Sequence, residues 1–156
     1  MSQATRLAHH IERTVTGPMW HGPALADVLD GVTRDRALAH PLLGAHSIWE
    51  IVLHITVWCD IARLRVQGQA TEDPTPEQDW PPVPAACAED WPIAVERLHE
   101  SHRRLAADVL QLTDAQLDAK VPGLGYAVGV MLSGIVEHGT YHGGQIALLR
   151  RAGGQP

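Results

Sequence analysis

Between Thr71 and Pro84 the chain carries five prolines and four acidic residues, so this stretch can be neither a regular helix nor a central strand. On both sides of it hydrophobic residues recur at helical spacing, and no segment alternates with the period of a strand. Helical segments joined by one long proline-rich connection place the chain in the all-α class, as a four-helix bundle with a long crossover connection. Connections of that length are often functional. With 156 residues, positions 1–156 suit a single domain with one sizeable core.

The helices are bounded by local signals. The first runs from about Ser2 to Thr16 and stops at Gly17-Pro18. A short piece with Leu25, Val28 and Leu29 follows Gly22 and ends near Gly31, with Pro23 suited to a first helical position. Thr33 can cap a further turn before His40-Pro41. Ser47-Ile48-Trp49-Glu50 is a capping box, in which the Ser hydroxyl and the Glu carboxylate each satisfy a free backbone N–H. It opens the second long helix, which reaches Gln67-Gly68. The third is predicted over Asp90 to Leu112, with Pro92 tolerated in its first turn. Thr113-Asp114-Ala115-Gln116 opens a short helix in the same way as Ser47. The fourth long helix is predicted from Tyr126 to Ala152, closing at Gly153-Gly154 with Arg150 and Arg151 at its negative end.

Charge and composition exclude several classes. A net charge of −6 with scattered Lys and Arg leaves no basic footprint for nucleic acid. No apolar run approaches the roughly 18 residues of a membrane span, and the N-terminus does not resemble a secretory signal. Cys59 and Cys87 are too few for a disulfide framework, which suits a reducing cytoplasm.

Histidine is the compositional oddity, with ten in the chain. His138-x-x-x-His142 sets two imidazoles one helical turn apart, about 6 Å in rise, on a stripe that includes Met131, Ile135, Ile146 and Leu149. Both rings can reach one ion. A third ligand from a neighbouring helix would leave positions for water or substrate, as in catalytic rather than structural sites. His54, among Ile51, Val57, Trp58 and Ile61, is the natural supplier, although a lone histidine on an apolar face is more often a hydrogen-bonded core residue. Gln145 can orient a ligand or bond a backbone carbonyl. Glu50 is better explained by its capping box. His102, on the stripe Val95, Leu98, Leu105 and Val109, is a fourth ligand, a proton carrier or a core histidine, the last being favoured. Trp20, His21 and the proline-rich connection are candidates to shape a mouth over the ion, with packing the better reading of Trp20. The residue after His138 is Gly139, where the zincin motif places its glutamate base. Any hydrolysis would therefore draw its base from metal-bound water or from another element.

The segment from His46 to Ile55, followed by Trp58, resembles the second-helix motif of the DinB/YfiT-like metalloenzyme family, within the DinB superfamily. The segment Glu137-His138-Gly139-Thr140-Tyr141-His142-Gly143-Gly144-Gln145-Ile146 is similar to that family's last-helix motif. Gly17 to Pro23 and Asp79-Trp80-Pro81 resemble it more loosely. The resemblance implies a four-helix bundle, often a homodimer, with a three-histidine site for zinc, nickel or a similar divalent ion. The family triad falls on His54, His138 and His142. Related proteins include thiol S-transferases that use bacillithiol or mycothiol and a mycothiol-dependent isomerase, so fold and ligands do not fix the reaction.

Two kinds of function follow. One is a metal-dependent enzyme acting on a small molecule, either a hydrolase or a low-molecular-weight-thiol S-transferase, with the chemistry carried by metal-bound water or thiolate. The other is a non-catalytic, stress-related bundle that binds metal or a small molecule.

Overall fold

The computed structural model describes residues 1–70, 72–84 and 90–154, so Thr71 and Cys87 lie outside the described residues. Eight helices are described: α1 (Gln3–Thr16), α2 (Leu25–Leu29), α3 (Arg34–Leu38), α4 (Ile48–Val66), α5 (Pro76–Asp79), α6 (Asp90–Val109), α7 (Asp114–Asp118) and α8 (Val128–Ala152). Among the described residues there is no strand beyond two isolated bridges, Met19 with Gly22 and Lys120 with Ala127. The predicted capping box forms at Ser47, whose hydroxyl accepts from the Glu50 N–H while the Glu50 carboxylate accepts from the Ser47 N–H. Thr113 and Gln116 repeat it at α7. Gly68, with φ +70°, gives α4 the left-handed residue that commonly follows a helix end.

Three boundaries differ from expectation. The third long helix ends at Val109 rather than Leu112. The fourth begins at Val128 rather than Tyr126, because the Tyr126 carbonyl accepts from the Val121 N–H and Ala127 pairs with Lys120 in extended backbone. The connection, expected to lack helix, contains one turn, α5. Thr75 caps it and Pro76 occupies its first position, where the missing N–H costs nothing.

The four long helices form a ring in which α1 packs against α6 and α8, and α4 against the same two. Trp49 near the start of α4 meets Trp91 near the start of α6, and Arg63 near the end of α4 pairs with Asp108 near the end of α6. These two helices are therefore parallel, and the chain between them returns along the bundle's length as a crossover. Arg65 of α4 bonds Tyr126, just before α8, which makes α4 and α8 antiparallel. The core lies in two apolar clusters. One is built around Trp49, Val52, Leu98 and Ile146, the other around Ile11, Leu105, Val109 and Leu132. Buried Thr14, Ser101, His102 and His142 sit between them in sequence on α1, α6 and α8, while His54 of α4 lies within the first cluster, between Val52 and Ile55. Among the described residues no helix is long and apolar enough to cross a membrane.

Candidate metal centre

The centre stands where α4 and α8 face each other. Ser47 fixes the start of α4, and His54 follows on its second turn, buried. His138 and His142 lie one turn apart on α8, their ring centroids 4.4 Å from each other and each 4.8 Å from that of His54. One nitrogen from each ring lies within 4.8 Å of the other two. The Nε2 atoms of His54 and His138 are 3.0 Å apart. Two nitrogens held side by side on one ion at about 2.0–2.1 Å stand roughly 3.0–3.4 Å apart, so the spacing suits a shared ion.

The second nitrogen of two rings is already committed. His54 Nδ1 lies 2.8 Å from the Asp79 carbonyl oxygen, which can only accept, so Nδ1 carries the proton and Nε2 the lone pair. His142 Nδ1 likewise donates to Gln145 Oε1 at 2.6 Å. A backbone carbonyl or amide oxygen behind the ring is how metal-binding histidines are held in one tautomer and orientation. Burial, with the neighbouring imidazoles His142 and His54, pushes His138 down to about 3. Burial also lowers His142. Both rings are therefore neutral at neutral pH, the form that binds metal. The three histidines can hold a divalent ion.

The connection is fastened over this centre. Trp80 lies between two imidazoles, stacked on His54 at 3.8 Å and on His46 at 3.6 Å. Trp58 Nε1 donates to the Asp79 carboxylate at 2.6 Å. Arg65, buried in α4, bonds the Glu72 carbonyl and Asp73, and its guanidinium lies 5.9 Å over the Trp58 ring. Sequence reasoning assigned the connection a place at the mouth but gave Trp80 and Arg65 no individual role. A tryptophan among prolines and an arginine in an apolar stripe were the available signals.

The remaining candidates lie elsewhere. The Glu50 carboxylate faces Ser47, His40 and His46, not the centre. Burial alone would raise its pKa, but the bonds from Ser47 and His40 outweigh burial and lower it. His21 is exposed in the turn closed by Met19 and Gly22, with no bond to the three histidines among the described residues. His102 is buried and donates from Nδ1 to the Leu98 carbonyl at 2.9 Å, outside the group of three. Burial holds it down to about 4. Trp20 is 99% exposed, which overturns its reading as a packing residue.

A cavity of about 390 Å³ opens beside His142 and Trp80. A larger one, about 730 Å³, lies between α4 and the connection and contains none of the three histidines. In comparisons with known proteins, the family model described as the DinB superfamily matches residues 20–146. No curated protein matches the chain, and no solved structure does. A match of that extent takes in all three histidines and the connection that covers them, and the chain belongs to the DinB superfamily.

Proposed function

We propose that the protein is a divalent-metal-dependent enzyme in which His54, His138 and His142 hold zinc or nickel, both suited to imidazole ligands. The observation that carries this reading is the convergence of three ring nitrogens, two of them with their outer nitrogens already bonded to Asp79 and Gln145. When bound, the ion supplies Lewis acidity, which activates water or lowers the pKa of a thiol. The chain's own residues orient and exclude. The Asp79 carbonyl and Gln145 fix two imidazoles, while Trp80 covers one face of His54 against water. Among the described residues lining the adjacent cavity there is no carboxylate to serve as a base. The reading we put forward is S-transfer from a low-molecular-weight thiol of the bacillithiol or mycothiol type, where thiol ionisation is the main requirement; hydrolysis would draw its base from metal-bound water or from His46, which lines the same cavity.

The test is elemental analysis after reconstitution, followed by turnover assays with low-molecular-weight thiols and an electrophile, and with esters and amides. One ion per chain is expected in the wild type and none in His138→Ala, with turnover lost along with the metal. A wild-type protein that takes up no ion refutes the reading. Stoichiometric metal with every substrate at background would instead establish the non-catalytic binding bundle.

A further inference from the structure

The cavity beside the centre has a chemical character of its own. Leu42, Ile51, Leu148 and Leu149 supply its walls, and Trp80 closes it toward His54. No Lys, Arg, Asp or Glu is among its described lining residues. A cationic group moved there from water would lose hydration with no carboxylate in the lining to replace it, and an anionic one would find no Lys or Arg there. At about 390 Å³ it is at the small end of ligand pockets.

Three of its polar side chains, His142, Gln145 and Tyr141, form a chain with one direction, while His46, also in the lining, stacks on Trp80. With His142 Nε2 toward the centre, Nδ1 carries a proton and donates to Gln145 Oε1 at 2.6 Å. That turns the Gln145 amide nitrogen outward, where it donates to the Tyr141 hydroxyl oxygen at 3.2 Å. The phenol already accepts from Gln145, so its own proton is left to donate. Tyr141 lines the cavity at its exposed side. A histidine fixed in one tautomer by the centre thus leaves a free hydrogen-bond donor at the edge of an apolar pocket.

From this we propose that the cavity binds the apolar part of a neutral substrate whose oxygen acceptor, such as a carbonyl, is positioned by the Tyr141 hydroxyl. The inference rests on the metal-dependent reading above and names the substrate class that this centre takes. Tyr141 is here a positioning and specificity residue.

The experiment compares two neutral probes of matched shape, 2-acetonaphthone and 2-ethylnaphthalene, by titration calorimetry on the metal-loaded protein. One neutral hydrogen bond at a partly exposed site makes the ketone bind at least about 3-fold more tightly than the hydrocarbon. In Tyr141→Phe the ratio falls to about one while the hydrocarbon's affinity is kept. In Leu148→Asp, a change at a half-exposed position, both probes weaken. The cationic 2-naphthyltrimethylammonium binds more weakly than the ketone. Equal binding of ketone and hydrocarbon by the wild type, a ratio that survives in Tyr141→Phe, absence of binding by both neutral probes, or a cation that binds as well as the ketone would each overturn the proposal. Binding is read without turnover. Failure of the probes with metal and turnover intact therefore removes the pocket assignment alone, whereas missing metal or turnover removes the reading of the centre.

Discussion

Gln145 does for His142 what the Asp79 carbonyl does for His54, but the two supports differ in how they can be removed. A backbone carbonyl survives any side-chain substitution at its own residue. Asp79→Ala should therefore leave the 2.8 Å bond to His54 Nδ1 in place, losing the carboxylate that Trp58 holds and that lies 3.1 Å from the same Nδ1. Gln145→Ala deletes the only oxygen bonded to His142 Nδ1 among the described residues. The expected result is a 10–100-fold loss of metal affinity in Gln145→Ala and a smaller loss in Asp79→Ala, read by chelator competition. An affinity in Gln145→Ala unchanged from the wild type would show that Gln145 does not orient the ring. Of these partners only Gln145 was legible in the sequence, since i and i+3 share a helix face. A carbonyl oxygen 25 residues beyond its histidine has no signature, because every residue carries one and only the path of the connection selects it.

At the scale of the element, α8 is shaped by how closely α1 approaches it. A Cβ on Gly139 would stand 2.5 Å from Thr14 Cγ2 and 3.7 Å from Leu25 Cδ1. Position 139 thus faces the helix packing rather than the centre, and a glutamate in the zincin place would meet α1 instead of substrate. Gly139→Ala gains about 1 kcal/mol of helix propensity but forces an overpacked contact costing about 1–3 kcal/mol. Thr14 has little freedom to yield, being buried with its hydroxyl bonded to the His10 carbonyl at 2.9 Å. Net destabilisation is therefore expected in thermal unfolding. Thr14→Ser removes the opposing methyl and keeps the hydroxyl, so the double variant should recover most of the loss. No recovery would mean that the clash lies elsewhere. The helices themselves were legible because Ser47, Thr113 and the glycines announce their ends. The turn at Pro76–Asp79 was not, since prolines read as breakers unless the capping Thr75 is given weight. The way the connection docks was hidden too, because it depends on Trp80 meeting two imidazoles that the sequence leaves far apart.

For the whole molecule, the polar residues between the two apolar clusters make stability depend on pH in a way that does not require the metal. His102 is fully enclosed, its Nδ1 proton given to Leu98, and its Nε2 has no hydrogen-bond partner among the described residues. The folded protein therefore keeps this ring neutral down to about 4. The unfolded chain protonates it near 6.5. Below that value the unfolded state binds more protons, and stability falls as pH falls, with the loss complete once the folded pKa is passed. Above about 6.5 both states are neutral and the term vanishes. Between pH 7 and pH 5 the difference amounts to about 2 kcal/mol for one such group. Denaturant unfolding of chelator-treated wild type and His102→Gln at the two pH values isolates it, because the other nine histidines are common to both proteins. The wild type is expected to lose about 2 kcal/mol more than His102→Gln over this interval. Equal losses would mean that His102 accepts a proton within the folded bundle. In that case the layer between the clusters would hold water or a charge partner, and the ring could serve as a proton carrier beside the centre.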